Sequence, residues 1–234
     1  MNTTIQAITW QGLALAFLPA VIVIGIMLRW AAGAQTAVYA TLRMLIQLLL
    51  IGYVLVYIFE ADHPGIIIAV LVIMLALASW ISIRPLRNKQ PHLYLHALAA
   101  ISVGGLATLV FVSQFVIGVD PWFSPRYVVP LAGMIFAGAM NTVSLAAERF
   151  QAEIDKEISY VEARRTALQA SLIPVINSLF AVGLVSLPGM MTGQILSGIS
   201  PFIAAKYQIV VMTMLFGSSG ISAALYLVLA RRIP

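Results

Sequence analysis

Seven apolar stretches, separated by short polar connections, constrain this chain more than any other feature of its sequence. An α-helix needs about 20 apolar residues to cross roughly 30 Å of hydrocarbon. We therefore predict an all-α fold, a polytopic membrane helix bundle with about seven transmembrane helices. The predicted spans are Leu13–Met27, Val38–Phe59, Ile66–Ile83, Leu93–Ile117, Val128–Leu145, Leu172–Leu187 and Tyr207–Ala230.

The scarcity of charged residues excludes a soluble globular protein. Only 9% of the 234 residues are charged and 62% are hydrophobic, whereas soluble domains carry roughly 25% charged residues. A chain of this composition must face the lipid bilayer, so we expect a single transmembrane domain over residues 1–234. The first charged residue is Arg29, so the basic flank of a cleavable signal peptide is missing and we expect a retained first helix.

The positions of the basic residues predict the orientation in the membrane. A net charge of +5 would suggest nucleic acid in a soluble protein, but these charges lie between apolar stretches, and we exclude nucleic-acid binding. With the N-terminus outside and the C-terminus cytoplasmic, only Arg126 and Lys206 fall outside. This pattern predicts a multi-pass protein of the cell (inner) membrane. The other 11 Lys and Arg residues fall on the cytoplasmic side or at its edge: Arg29, Arg43, Arg84, Arg87, Lys89, Arg149, Lys156, Arg164, Arg165, Arg231 and Arg232.

One connection, at about residues 148–170, is long and charged. Its residues Glu148–Gln169 include five acids and four basic residues in a helix-forming composition. Two interpretations stay open at this point. The segment is either a solvated connector between two helices or the place where a transporter receives force from a soluble partner.

The sequence lacks the motifs that would make this chain an enzyme. It has no G-x-x-x-x-G-K-[ST] phosphate loop, so any ATP must be hydrolysed by another subunit and this chain is expected to bind no cofactor. No catalytic residues are assigned, because no H-E-x-x-H motif and no catalytic constellation occurs in a span. The absence of cysteine excludes thiolate metal sites. His92 and His96 either share a metal or begin an interfacial helix, so the metal ligands stay unknown.

Polar and thioether side chains inside the spans are candidates for a substrate pathway, because polar groups are costly in lipid and turn towards the bundle interior. Arg43 and Gln47 are four residues apart and share a helix face, although Arg43 could also snorkel to the interface. Asn141 and Asn177 are candidates for a shared polar cavity or for hydrogen bonds between helices. Met140, Met190 and Met191 complete the candidate pathway, with ordinary packing as the alternative.

Several motifs resemble the Fet-type ABC transporter permease family. The match is carried by Ala181–Pro201, AVGLVSLPGMMTGQILSGISP, and by Lys206–Met212, KYQIVVM. Supporting matches are Arg43–Gln47 with Gly52-Tyr53, and Pro130–Met134 with Met140-Asn141 and Glu148-Arg149. The resemblance extends from about Gln35 to Leu229. This sequence departs from the family at Ala137-Gly138, where members usually have Gly-Asn, and at Ile158–Ala163, where the cytoplasmic segment is shorter.

The resemblance implies a permease subunit that forms a homodimer and pairs with a soluble P-loop ATPase, which would bind the ATP and Mg²⁺. Bacterial members are associated with iron export and plant relatives with aluminium tolerance. The expected function is therefore export of a metal ion or a metal-linked solute. The charged segment becomes the expected contact with the ATPase, with Ser159, Tyr160, Glu162, Arg164 and Arg165 as its candidate coupling residues.

The alternative is a channel or an ion-coupled carrier that needs no ATPase. Such a protein needs a buried acid or histidine to relay protons, whereas every Asp and Glu here lies in a connection or at a span end.

Overall fold

The computed structural model describes residues 8–60, 63–86 and 90–232, and these form helices joined by short connections. The predicted all-α class is confirmed, since the described residues contain no β-strand and only one isolated bridge, between Val182 and Ser186. Arg87 and Lys89, which entered the orientation argument, lie outside the described residues. Contacts divide the chain into two compact units, Met1–Glu60 and Ala61–Pro234.

The first unit contains three helices: α1 (Trp10–Leu15), α2 (Leu18–Arg29) and α3 (Ala34–Phe59). Thr9 begins α1, its hydroxyl accepting a hydrogen bond from the amide of Gly12 at 3.1 Å. Gly33 precedes α3 with a φ of +71°, a left-handed conformation that glycine adopts without strain. α2 packs against α3. Within these three helices only Ala34 and Ile58, near the two ends of α3, are buried.

The second unit contains the remaining helices. Among them, α5 (Pro91–Ile117) contains two π-helical segments, Ser102–Leu106 and Phe111–Ile117, and α6 (Pro125–Ile154) contains Pro130. A proline removes one backbone hydrogen bond, and π-helical turns widen a helix locally, so both helices depart from regular geometry. The helices are α4 (Pro64–Ser82), α5 (Pro91–Ile117), α6 (Pro125–Ile154), α7 (Tyr160–Ala181), α8 (Gly189–Leu196) and α9 (Pro201–Leu229).

Helix α6 is the centre of the second unit and packs against α4, α5, α7 and α9. Its buried face includes Ile135, Ala139 and Val143, which have no exposed surface. With 30 residues, α6 is about 45 Å long, longer than the roughly 30 Å of hydrocarbon in a bilayer. The polar end of α6 therefore continues beyond the lipid.

Helices α6 and α9 run in the same direction, and α7 runs against them. Tyr160, at the start of α7, donates a hydrogen bond to the carbonyl of Leu227 near the end of α9 at 3.1 Å. At the other end, Met190 and Gln194 of α8 line one cavity with Arg126 of α6 and Tyr207 of α9. The segment from α7 to α8 thus carries the chain from the Tyr160 end of the unit to the Arg126 end.

When α1 and α2 are counted together as Trp10–Arg29, six helices of the described chain are long and apolar enough to span a membrane. They correspond to all the predicted spans except the sixth, Leu172–Leu187. Those residues form the second half of α7, which ends at Ala181, and the turn that follows. The first half of α7 is charged, which lowers the hydropathy of the whole helix. Seven crossings and an outside N-terminus stay predictions, and the path of the chain between the two ends favours the seventh crossing.

Candidate functional site

A cavity of about 670 Å³ lies between α6, α7, α9 and the turn after α7, and we call it the central cavity. Its wall combines apolar side chains with hydroxyl groups and one amide, without a charged residue. Gly138 of α6 lines it beside Leu215 and Ser219 of α9, where a methyl group at position 138 would approach both to 3.2 Å. The polar lining residues are Asn141, Thr142, Ser144, Ser171, Ser178, Ser186 and Ser219.

Three hydroxyl groups of the central cavity, those of Thr142, Ser171 and Ser178, donate hydrogen bonds within their own helix. Thr142 donates to the carbonyl of Gly138 at 3.0 Å, and Ser178 donates to the carbonyl of Pro174 at 2.9 Å. Such back-bonding makes a hydroxyl tolerable in lipid. The oxygen lone pairs remain available to accept hydrogen bonds, so the cavity can hold water or a polar solute.

The residues predicted for a substrate pathway are distributed over several places. Asn141 lines the central cavity, whereas Met140 and Asn177 do not. Met190 lines a second cavity, and Met191 lines neither. Arg43 and Gln47 belong to α3 in the first unit, where Gln47, with its amide in the hydrogen-bonding orientation, accepts from the Nε of Arg43 at 3.0 Å. The sequence could not separate Asn141 from Asn177, because both are polar residues in apolar stretches.

The second cavity, of about 420 Å³, lies at the opposite end of α6 from Tyr160, and we call it the Arg126 cavity. Its wall contains a guanidinium group, two phenols, two thioethers and an amide. The Oε1 atom of Gln194 is buried, with no hydrogen-bond partner among the described residues. The lining residues that carry these groups are Arg126, Tyr127, Met134, Met190, Gln194 and Tyr207. Gln194 and Tyr207 were not among the predicted site residues, although both lie in the two runs, Ala181–Pro201 and Lys206–Met212, that carry the family resemblance.

At the other end of the unit, Tyr160 joins α6, α7 and the end of α9. Its ring packs edge-on against Phe150 of α6, with 6.0 Å between the centroids. The guanidinium carbons of Arg164 and Arg231 lie 5.3 and 5.5 Å from the ring centroid, within cation–π range. With its hydrogen bond to Leu227, Tyr160 ties together the same three helices that line the central cavity.

The other predicted coupling residues lie in the first turns of α7. Ser159 begins the helix: its Oγ accepts from the amide of Glu162 at 3.4 Å and donates to the Glu162 carboxylate at 3.2 Å. Arg164 and Arg165 are exposed and line a groove of about 430 Å³ with Val161, Leu168 and Val228 among its apolar residues. This groove, which we call the arginine groove, combines two positive charges with an apolar floor.

The polar end of α6 carries an ion-paired acid. Glu153 is 8% exposed and pairs with Arg149 at 2.7 Å and with Lys156 at 3.7 Å. Asp155 accepts a hydrogen bond from Gln151 at 2.8 Å. The charged segment predicted at about 148–170 is therefore the end of α6, a short turn and the start of α7, with its charges partly paired internally.

The histidine pair has no complete ligand set around it. The rings of His92 and His96 lie 5.6 Å apart, and each has one buried nitrogen without a hydrogen-bond partner among the described residues. In the part of the chain that the structure describes, no group of three or more His, Cys, Asp or Glu side chains is placed to hold a metal ion. The pair begins α5, as the interfacial alternative expects.

Known proteins similar to this chain are membrane proteins. A family described as "Uncharacterised protein family (UPF0014)" matches residues 10–233. UPF0014 membrane protein slr1647 of Synechocystis is 32% identical, over 95% of this chain and 85% of its own. The probable iron export permease protein FetB of Escherichia coli is 32% identical, over 92% of this chain and 88% of its own.

A plant protein belongs to the same set of relatives. Protein ALUMINUM SENSITIVE 3 of Arabidopsis thaliana is 32% identical, over 80% of this chain and 72% of its own. No solved structure matches the chain significantly. The family match covers nearly the whole chain, and six helices are apolar enough to cross a bilayer. Together these findings show that the chain belongs to the UPF0014 family and is a multi-pass membrane protein.

Proposed function

We propose that this chain is the permease subunit of an ABC transporter that exports a metal ion or a metal-linked solute. It works as a homodimer with a soluble P-loop ATPase, which binds the ATP and Mg²⁺, while this chain itself binds no cofactor. The printed name of the Escherichia coli relative, an iron export permease, supports the substrate class. The missing phosphate loop supports a separate ATPase.

One observation carries the proposal: the three helices that line the central cavity are tied together at their charged end. Tyr160 contacts α6 through Phe150 and α9 through Leu227, and it belongs to α7 itself. A force applied at the start of α7 therefore reaches every helix of the cavity wall. A transporter that is driven by a soluble ATPase on the cytoplasmic side requires such an arrangement.

The arginine groove supplies a surface for the ATPase. Arg164 and Arg165 stand at the start of α7 beside exposed Val161, so a partner with carboxylates around an apolar side chain fits it. Glu162 contributes by fixing the first turn through Ser159. Closure of two ATPase subunits would pull on this turn and tilt α7 against α6 and α9.

Transport then follows from alternating access. Tilting α7 changes the central cavity, whose wall it shares with α6 and α9, and moves the opening from one side of the membrane to the other. Asn141 and the cavity hydroxyls provide polar contacts on the way. The solute must bind the two states of the permease with different affinities, because otherwise closure of the ATPase subunits could not drive its transport.

The homodimer is supported by the polar pair on α3. Arg43 and Gln47 bond each other on one face of a 26-residue apolar helix. Gln47 is exposed within the chain, and a charged side chain at the depth of the lipid is costly unless protein covers it. A second copy placed against this face of α3 would remove both groups from lipid.

Co-purification tests the ATPase partnership. The tagged chain, extracted from native membranes in mild detergent, should recover a stoichiometric P-loop ATPase. Arg164→Glu with Arg165→Glu should abolish that recovery without loss of membrane insertion, because like charges then face the partner's acids. Lys206→Glu, which reverses a charge at the opposite end of α9, is the control and should retain the ATPase. Reproducible absence of any ATPase, with ion flux intact, would establish the channel or carrier alternative instead.

Two asparagines test the central cavity as the pathway. Asn141→Ala removes the amide from the cavity wall and should lower transport at least several-fold in ATP-loaded membrane vesicles. Asn177→Ala changes a residue outside the wall and should leave transport unchanged. Equal amounts of folded protein, judged by size-exclusion chromatography, are required for the comparison. Normal transport by Asn141→Ala would contradict a role for this residue in the pathway and leave it with a role in helix packing alone.

A further inference from the structure

The charge in the Arg126 cavity narrows the substrate class, on the assumption that the proposed function holds. The wall of this cavity contains the guanidinium of Arg126 and no carboxylate or histidine. Asp120, in the connection before α6, is exposed and does not line it. A bare metal cation entering this space would meet a positive charge without any negative one to offset it.

The size of the two cavities also disagrees with a site for a bare ion. Metal sites hold hard cations with several oxygen ligands at about 2.0–2.6 Å. Cavities of 420 and 670 Å³ instead fall in the range of small-molecule sites, about 300–1,000 Å³. Within the described residues, no group of three or more His, Cys, Asp or Glu side chains elsewhere is placed to hold a bare metal ion.

The polar groups of the Arg126 cavity match a particular kind of ligand. A guanidinium group binds carboxylates in a bidentate, charge-assisted manner. The buried Oε1 of Gln194 has no donor among the described residues, and a buried acceptor gains stability from a hydroxyl group that reaches it. Tyr127 and Tyr207 add two phenols that donate or accept.

We propose that the solute bound in the Arg126 cavity is an anionic complex of a metal ion with a hydroxycarboxylate, rather than the bare cation. Arg126 binds a carboxylate of the complex, and Gln194 accepts from an O–H group that the complex keeps, either an uncoordinated hydroxyl or a water bound to the metal. The metal stays coordinated by its chelator throughout, so the protein needs no ligand set of its own. The thioethers of Met134 and Met190 complete an apolar wall around the complex.

Equilibrium binding to the purified chain in lipid nanodiscs tests this without any ATPase. The probes are radiolabelled citrate with equimolar Fe(III), and radioactive Fe(II) without chelator under anaerobic conditions. We expect saturable binding of the Fe(III)–citrate complex, weakened at least tenfold by Arg126→Gln and only a few-fold by Arg126→Lys, which keeps the charge. Gln194→Leu should weaken binding several-fold because it removes the amide.

Lys206→Gln is the matched control. Lys206 is a cation at the same end of the unit, lying 4.9 Å from the ring centroid of Phe202, and it does not line the cavity. Its substitution should leave binding unchanged. The inference is overturned if bare Fe(II) binds more tightly than the complex, if Arg126→Gln strengthens cation binding, or if Lys206→Gln and Arg126→Gln have equal effects. Thermal unfolding of each variant establishes that the folded state is retained.

The same probes separate this inference from the proposed function. Arg126-dependent binding of the complex, without any co-purifying ATPase, would support the inference and contradict the ABC assignment. ATP-driven export of iron that is unaffected by citrate and by Arg126→Gln would support the ABC assignment and overturn the inference.

Discussion

Gly104 shows how a single residue sets the distance between two helices in this protein. It lies in a π-helical segment of α5 and faces Ser222 of α9. A Cβ atom at position 104 would lie 2.9 Å from the backbone nitrogen of Ser222 and 3.2 Å from the carbonyl oxygen of Ser218. Backbone atoms cannot rotate away as a flexible side chain can, so only glycine permits this contact.

Gly104→Ala should therefore destabilise the protein. Overpacking of this kind costs about 1–3 kcal/mol, and we expect a lower midpoint of thermal unfolding in detergent. Gly220→Ala, on the same helix as Ser222, is the control, because nothing lies within 4 Å of a Cβ at that position. The control should be neutral or slightly stabilising, since alanine favours helix over glycine. Equal effects of the two substitutions would contradict the contact.

At the scale of elements, apolar stretches located the helices but not their ends. The stretch Val128–Leu145 marks only the part of α6 at lipid depth, whereas the helix runs from Pro125 to Ile154. Backbone hydrogen bonds continue past the lipid as long as the residues favour helix, so hydropathy underestimates length. The same reason explains α7, whose charged first half joins an apolar second half in one helix.

The start of α7 is held to the end of α9 by Tyr160, and this contact can be measured. Tyr160→Phe keeps the ring that Arg164 and Arg231 contact but removes the hydrogen bond to Leu227. We expect a loss of about 1 kcal/mol in the free energy of unfolding. Tyr160→Leu should lower the free energy of unfolding further, because it removes the aromatic ring and with it the two cation–π contacts. Tyr53→Phe changes a tyrosine that is 76% exposed on α3 and should have no effect.

The whole molecule works as proposed only if a second copy covers the polar face of α3. Gln47→Cys tests this cleanly, because the natural chain contains no cysteine. We expect an oxidant to link two copies through this residue in native membranes, visible as a dimer on a non-reducing gel. Leu49→Cys lies two residues on, on the opposite helix face, and should not cross-link. Cross-linking at position 49 alone would place the dimer interface elsewhere.

The sequence by itself determined that this protein is helical and lies in a membrane, because apolar stretches of about 20 residues with scarce charge match helices that satisfy their own backbone hydrogen bonds in lipid. It also marked Asn141 and the charged start of α7, since polar residues stand out against apolar stretches. Only the tertiary structure decided that Asn141 lines a cavity while Asn177 does not, and that Gln194 and Tyr207 join Arg126. Those facts depend on how helices distant in sequence are placed side by side, which hydropathy along one chain does not record.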